Sequence, residues 1–162
     1  MPNKFTFAVP PLREIITRYM GDAEVWADPF AGEHSPAQVT NDLNPAREAD
    51  YHLEAADFLL ELQRAGVVLD GALFDPPYSL TQVSRSYAGI GLKFKGRENP
   101  TGGFPKVRDL ISQLVRPGGY VISYGWNTTG MGLKRLFTPI EYLIVSHGGS
   151  HNDTLVVVER RN

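Results

Sequence analysis

The stretch FDPPYS at residues 74–79 places an acid, two prolines and an aromatic ring at the end of the apolar run 71–74. The apolar run predicts a short buried strand that ends at Asp75. Both prolines have a fixed φ and no N–H, which predicts a stiff turn whose carbonyl groups can accept hydrogen bonds. The stretch therefore presents a carboxylate, a rigid carbonyl and the Tyr78 ring together. The alternative interpretation is a proline-terminated strand with a capping aromatic residue.

Three further acids follow short apolar segments in the same way, and we predict that they also end strands: Asp28, Asp42 and Asp57. In open α/β sheets, ligands bind outside the carboxyl ends of the strands. Four acids at strand ends therefore predict a ligand site along one edge of the sheet.

Apolar residues at helical spacing separate the predicted strands. They predict helices over residues 12–20, 58–65 and 104–115, and shorter ones over 45–52 and 131–137. The C-terminal part instead shows two strands, 140–146 and 154–159, joined by a glycine-rich turn. This order predicts an α/β fold, with a mostly parallel sheet flanked by helices and an antiparallel C-terminal hairpin strand.

Two connections are predicted without regular structure. No period is sustained from Ser79 to Gly103, which predicts a long loop, and loops of this length in small domains are usually functional. Residues 117–119 (PGG) predict a tight turn before a strand at 120–124.

The composition narrows the class of protein. The length of 162 residues suits a single domain over residues 1–162. The chain has no cysteine, which excludes disulfides and thiolate metal sites. No stretch approaches the apolar length of a membrane span, so we expect a soluble cytoplasmic protein without a membrane partner. The net charge of −2 argues against a non-specific nucleic-acid coat.

The charge is unevenly distributed along the chain. Residues 85–109 contain six basic residues and only two acidic ones, although the whole chain is slightly acidic. This basic segment predicts an anionic partner, and a solvated loop is the alternative. Two histidines, His147 and His151, lie in a glycine-rich turn near Asp153, where turn hydrogen bonding is the simpler role, so no metal site is predicted.

Two motifs resemble a known family. Residues 28–32, DPFAG, resemble the cofactor motif of class I S-adenosylmethionine (SAM)-dependent amino-methyltransferases. Residues 75–79, DPPYS, resemble the catalytic motif of the adenine-N6 DNA methyltransferases in that family, and residues 114–123 resemble the helix–turn–strand that follows it. The resemblance spans nearly the whole chain and implies a Rossmann-like fold, SAM as the cofactor and DNA as the partner.

The resemblance implies separate roles for the cofactor-binding residues. Gly32 would let the backbone approach the cofactor closely, and Asp42 would accept hydrogen bonds from the ribose hydroxyls. Asp57 would accept from the adenine amino group of the cofactor, and Phe58 would pack on its ring. The full set of cofactor residues implied is Phe7, Pro10, Asp28, Pro29, Phe30, Ala31, Gly32, Asp42, Asp57, Phe58 and Asp75.

The catalytic residues implied by the resemblance are Asp75, Pro76, Pro77 and Tyr78. The Asp75 carboxylate and the Pro76 carbonyl would accept the two N–H bonds of an exocyclic amine, which directs the nitrogen lone pair at the methyl group. Tyr78 would stack on a base flipped out of the duplex. The substrate-binding residues predicted are Tyr78, Ser79, Arg85, Lys93, Lys95, Arg97, Trp126 and Asn127.

The chain departs from the family in three ways. His34 stands where the family has a second glycine, and the connection between the first two strands is shorter than a parallel crossover normally needs. No separate target-recognition domain is predicted, so sequence specificity would be slight, or would come from the 79–103 segment or from a partner subunit. A homodimer or a complex with a specificity subunit is the expected assembly. RNA adenine, cytosine N4, or a non-catalytic SAM-binding subunit of a heteromeric enzyme are the alternative functions.

Overall fold

The computed structural model describes residues 7, 9–21, 24–94, 104–146 and 152–162. These residues form an α/β fold with four α-helices and six strands. Their bounds are α1 (Pro10–Tyr19), β1 (Trp26–Asp28), β2 (Val39–Thr40), α2 (Ala55–Arg64), β3 (Leu69–Phe74), α3 (Leu80–Ala88), α4 (Pro105–Leu114), β4 (Val115–Gly125), β5 (Phe137–Val145) and β6 (Thr154–Arg161).

The six strands form one mixed sheet in the order β2-β1-β3-β4-β6-β5. The first four are parallel, whereas β6 pairs antiparallel with both β4 and β5. A single parallel bridge between Asn41 and Tyr51 extends the sheet beyond β2. The predicted mostly parallel sheet with an antiparallel C-terminal hairpin strand is therefore confirmed.

Helices cover both faces of the sheet because each has one apolar side. Leu12, Ile15 and Ile16 of α1 pack on one face, in a cluster that includes Trp26. Helices α2 and α4 cover the opposite face, where α2 contributes Phe58. Burial of side chains of this size stabilises the fold by roughly 1.5–3 kcal/mol each. This packing fixes the carboxyl ends of β1, β3 and β4 beside one another.

The segment after the DPPYS motif differs from its prediction. Residues 80–88 form α3 instead of loop, because Ser79 caps the helix by accepting a hydrogen bond from the Gln82 amide at 3.2 Å. Val83 of this helix is buried in the core. The irregular spacing of the other apolar residues concealed this short amphipathic helix. Residues 95–103 of the predicted loop lie outside the described residues.

Three smaller predictions also need correction. Residues 45–52 form turns and no helix, and only Leu133–Arg135 is helical within 131–137, as a single 3-10 turn. The predicted turn at 117–119 is a bulge inside β4, because the pairing jumps from Val115 opposite Leu69 to Tyr120 opposite Gly71. The extra residues thus leave the strand unbroken.

The connection from β1 to β2 contains no helix over residues 29–38. The short connection between β1 and β2 is therefore a parallel crossover without a helix. The ends of these two strands agree with the prediction to within a residue or two. His34 has φ +63°, a left-handed conformation that a glycine adopts without cost. The loop thus keeps a glycine-like backbone at a position where the sequence has histidine.

Candidate active site

Asp75 follows β3 directly and is completely buried. Its Oδ1 accepts a hydrogen bond from the Tyr78 hydroxyl. Its Oδ2 is buried and has no hydrogen-bond partner among the residues that the structure describes. Burial raises the pKa of Asp75 to about 6, although the Tyr78 hydrogen bond acts in the opposite direction. The buried carboxylate thus keeps one acceptor oxygen free for a ligand.

Asp28 at the end of β1 is a second buried carboxylate. It accepts hydrogen bonds from the Phe30 amide at 2.9 Å and from the Ser35 hydroxyl at 2.7 Å. Burial raises the pKa of Asp28 to about 7; those two hydrogen bonds lower it, and the nearby charge of Asp75 raises it further. Asp28 therefore shapes the turn after β1 and lies close enough to Asp75 for the two carboxyl groups to interact.

Tyr124 lies near the end of β4 and belongs to the same buried group. Its hydroxyl has no hydrogen-bond partner in the described part of the chain. Burial raises the pKa of Tyr124 well above its ordinary value, and the charges of Asp75 and Asp28 raise it further. The Phe7 ring contacts the Tyr124 ring edge-on, with 6.2 Å between centroids. Tyr124 was not predicted as a site residue, although it ends a predicted strand next to Trp126.

A cavity of about 250 Å³ opens beside the acids, between the turns after β1 and β2 and helix α3. Asp42 lines it, and its side chain accepts a hydrogen bond from the Asn44 amide at 2.7 Å. Burial raises the pKa of Asp42, and hydrogen bonds from backbone amides partly offset this increase. The predicted residues that line this cavity are Pro29, Phe30, Gly32, Asp42, Pro77 and Arg85.

Asn41 holds the turns around this cavity together. Its side-chain amide donates to the carbonyls of Pro29 and Leu53, at 3.1 and 3.0 Å. Its side-chain oxygen accepts from the Leu53 amide, and its own carbonyl accepts from the Ala31 amide. One buried amide thus replaces the support that a helix after β1 would give. The predicted residue Ala31 is buried in this arrangement and does not line the cavity.

The interpretation of Asp57 as a strand-end acid is wrong. Asp57 lies exposed in the first turn of α2. Phe58 is completely buried, with its ring 5.2 Å from that of Tyr51, and cannot cover a ligand. Glu54, three residues before Asp57, lines the cavity together with Asp42 and accepts a hydrogen bond from the Tyr87 hydroxyl. Ala55 and Ala56 begin helix α2 and do not form the predicted strand.

The other predicted residues are spread around the site. Ser79 is the cap of α3, and Lys93 is exposed. Lys95 and Arg97 lie outside the described residues. Trp126 is 44% exposed, and its ring centroid lies 5.4 Å from that of Tyr78.

At the edges of the site, Asn127 is exposed and accepts a hydrogen bond from the Thr129 amide. Pro10 is exposed in the first turn of α1, outside the cavity, and its role as a cofactor residue stays a prediction. Glu159, buried and not predicted, accepts hydrogen bonds from the Met131 and Gly132 amides and so supports the loop that follows Trp126.

Two further features are absent from the described residues. No helix among them is long and apolar enough to cross a membrane. In the same ranges, no group of three or more histidine, aspartate or glutamate side chains could hold a metal ion. The histidines at 147 and 151 lie outside these ranges.

Comparison with known proteins identifies the fold. No protein-family model and no curated protein matches the chain. The 1,6-didemethyltoxoflavin-N1-methyltransferase of Burkholderia thailandensis, solved with S-adenosylhomocysteine, matches with a TM-score of 0.59 and 15% identity over 97% of this chain and 79% of that one. TrmN from Thermus thermophilus matches with a TM-score of 0.51 and 20% identity over 94% of this chain and 49% of that one.

A third structure, from a Streptococcus mutans protein classed as a SAM-dependent methyltransferase, matches with a TM-score of 0.56 and 10% identity over 92% of this chain and 48% of that one. The chain thus spans about half the length of the Thermus and Streptococcus proteins. The fold is that of the class I SAM-dependent methyltransferases, and structural neighbours with this fold bind S-adenosylhomocysteine.

Proposed function

We propose that this chain transfers a methyl group from SAM to the exocyclic N6 amino group of adenine in DNA. The observation that carries this proposal is the unpartnered, buried Oδ2 of Asp75, at the end of a parallel strand and followed by two prolines. A buried acceptor without a partner is costly unless a ligand satisfies it. An amine hydrogen on the substrate would do so.

The residues around the cavity fit SAM. Asp42 offers acceptor oxygens for ribose hydroxyls, and Gly32 at φ +61° leaves open space where a side chain would otherwise stand. Phe30 and Pro77 supply apolar walls for a purine ring, and Glu54 supplies an acid at the far side. When bound there, SAM supplies a methyl group that its sulfonium already activates.

The acceptor residues then have one task, to orient the amine. Tyr78 occupies Oδ1 of Asp75 and leaves Oδ2 for one amine hydrogen. The Pro76 carbonyl is the proposed acceptor for the second hydrogen. With both hydrogens held, the nitrogen lone pair points away from them, and the carboxylate stabilises the positive charge that develops on nitrogen. Asp75 must be ionised for this role.

Two features favour a nucleic-acid base as the substrate. Trp126 is exposed beside the Tyr78 ring, so the pair offers an aromatic surface for a flipped base. Lys93 is exposed, and the neighbouring stretch also contains Lys95 and Arg97, which could contact phosphates. Arg85 lines the cavity with Asp42 and is therefore less suited to phosphates than the sequence suggested.

The test is incubation of the purified protein with labelled SAM and duplex DNA, single-stranded DNA, RNA or protein, followed by nucleoside mass spectrometry. The expected product is N6-methyladenine in DNA. Product in RNA, or N4-methylcytosine, would support one of the two alternative substrates. No product in any polymer, with SAM binding intact, would support the non-catalytic subunit.

Two variants separate the proposed roles. Asp75→Ala should abolish methylation and leave SAM binding measurable by calorimetry, whereas Asp42→Ala should weaken SAM binding. Methylation by Asp75→Ala would contradict the catalytic assignment. Unchanged SAM affinity in Asp42→Ala would contradict the ribose assignment.

A further inference from the structure

We propose that the Tyr124 hydroxyl donates a hydrogen bond to the ring nitrogen next to the exocyclic amine of the substrate. The inference rests on the proposed function and deepens it, because it specifies which edge of the base the site recognises. The substrate class is then a ring that carries an amino group beside an unprotonated ring nitrogen, as adenine does with N6 and N1.

The first step is the position of Tyr124. It is the penultimate residue of β4, and β4 is the parallel neighbour of β3, which leads into Asp75. Tyr124 is 4% exposed, and its side chain packs in the cluster on the α1 face of the sheet together with Trp26. The hydroxyl therefore lies at the carboxyl edge of the sheet, where the ligand site of such folds is found.

The second step is that the site contains two unsatisfied polar atoms: a carboxylate oxygen that can only accept a hydrogen bond and a hydroxyl that can also donate one. Within the described ranges, Oδ2 of Asp75 and the Tyr124 hydroxyl are both buried without a partner. They are close enough for the charge of Asp75 to act on Tyr124, yet they are not hydrogen-bonded to each other. A ligand that presents one donor and one acceptor side by side satisfies both atoms.

The third step assigns the direction of each hydrogen bond. Asp75 as a carboxylate can only accept, so it faces the amine hydrogen. Burial raises the pKa of Tyr124, and the charges of Asp75 and Asp28 raise it further, so its hydroxyl stays protonated and can donate. Its complement is an acceptor on the ligand. A ring carbon at that position has no lone pair to accept this hydrogen and would leave the hydroxyl unsatisfied.

The test uses Tyr124→Phe, which removes the hydroxyl and keeps the ring that packs against Phe7. Tyr120→Phe is the matched control, because Tyr120 lies four residues earlier on the same strand and its ring packs on Tyr19, away from the site. Both variants and the wild type are assayed on a DNA oligonucleotide that contains adenine at the methylated position. The same assay is repeated with 1-deazaadenine, which lacks the ring nitrogen.

The expected result is that the variant and the substrate analogue reduce kcat/KM in a non-additive way. For the wild type, kcat/KM should fall about tenfold to a hundredfold when adenine is replaced by 1-deazaadenine. Tyr124→Phe should show the same loss on adenine and no further loss on 1-deazaadenine. Tyr120→Phe should behave as the wild type, and SAM affinity by calorimetry should be equal in all three proteins.

Several outcomes would overturn the inference. The hydroxyl does not contact the ring nitrogen if the reductions in kcat/KM caused by Tyr124→Phe and by 1-deazaadenine are additive. The same conclusion follows if Tyr124→Phe has wild-type activity on adenine. Weaker SAM binding in Tyr124→Phe would place the hydroxyl on the cofactor. A large loss of stability in Tyr124→Phe without substrate would mean that the fold itself satisfies the hydroxyl. A wild type inactive on all adenine substrates would overturn the proposed function and this inference with it.

Discussion

At the scale of single residues, the site places two carboxyl groups in the protein interior. Asp28 and Asp75 are both completely buried, and burial raises the pKa of each by more than the hydrogen bonds to it lower it. Asp28 satisfies both oxygens within the chain, whereas Asp75 satisfies one. The difference separates a carboxylate that shapes the turn from one that is free to bind a substrate.

Methylation should depend on the ionisation of Asp75. Its pKa is raised to about 6, and only the carboxylate can accept an amine hydrogen through Oδ2. We therefore expect kcat to be constant above about pH 7 and to fall as the pH decreases through about 6. The measurement is the pH profile of kcat at saturating SAM and substrate. A profile that stays flat down to pH 4.5 would contradict the role of Asp75, and the SAM affinity measured in parallel serves as the control.

The same carboxylate should destabilise the free protein at neutral pH. Because burial raises the pKa of Asp75 from 3.8 to about 6, the folded state holds its proton more tightly than the unfolded state, and stability is lost as the pH rises between these values. Asp75→Asn lacks this titration. Relative to the wild type, its free energy of unfolding should increase by about 2 kcal/mol between pH 4.5 and 7.5. Urea denaturation at both pH values measures this change, and a constant difference between the two proteins would refute it.

At the scale of elements, the turns around the cavity are built without a helix after β1. Asn41 connects three segments through its side chain, and Asp28 fixes the turn through the Phe30 amide. The backbone at His34 is left-handed, as a glycine-rich loop would be. The connection is therefore short because side chains replace the helix, and part of its conformation is strained.

Relief of this strain should be measurable at position 34. His34 is exposed and has φ +63°, so His34→Gly removes the steric cost and His34→Ala retains it. Both variants lose the imidazole, which makes the alanine variant the matched control. We expect His34→Gly to be more stable than His34→Ala by about 1 kcal/mol in urea denaturation. Equal midpoints would mean that the backbone at this position is not left-handed in solution.

At the scale of the whole molecule, residue patterns located most of the elements. The apolar periodicity of α1, α4 and the strands reflects burial in a layered fold and could therefore be read directly. The strand interpretation of residues 53–57 failed because short apolar runs do not distinguish a strand from the first turn of a buried helix. Tyr124 was missed because a buried tyrosine at a strand end looks like core, and only its unpartnered hydroxyl distinguishes it.

The link between the sheet and the site can be tested at Gly71, which lies on β3 opposite Trp26 of β1. A Cβ at position 71 would lie 2.5 Å from the Trp26 ring, which is completely buried, so the ring and the strand that ends in Asp28 must shift. Gly71→Ala should cost about 1–3 kcal/mol of stability and weaken SAM binding. Gly21→Ala is the matched control, since its Cβ would meet only the flexible Glu24 side chain at 3.3 Å. Thermal denaturation measures the stability of the two variants, and calorimetry measures their SAM affinity. Equal stability and equal SAM affinity would show that the contact between Gly71 and Trp26 does not position β1.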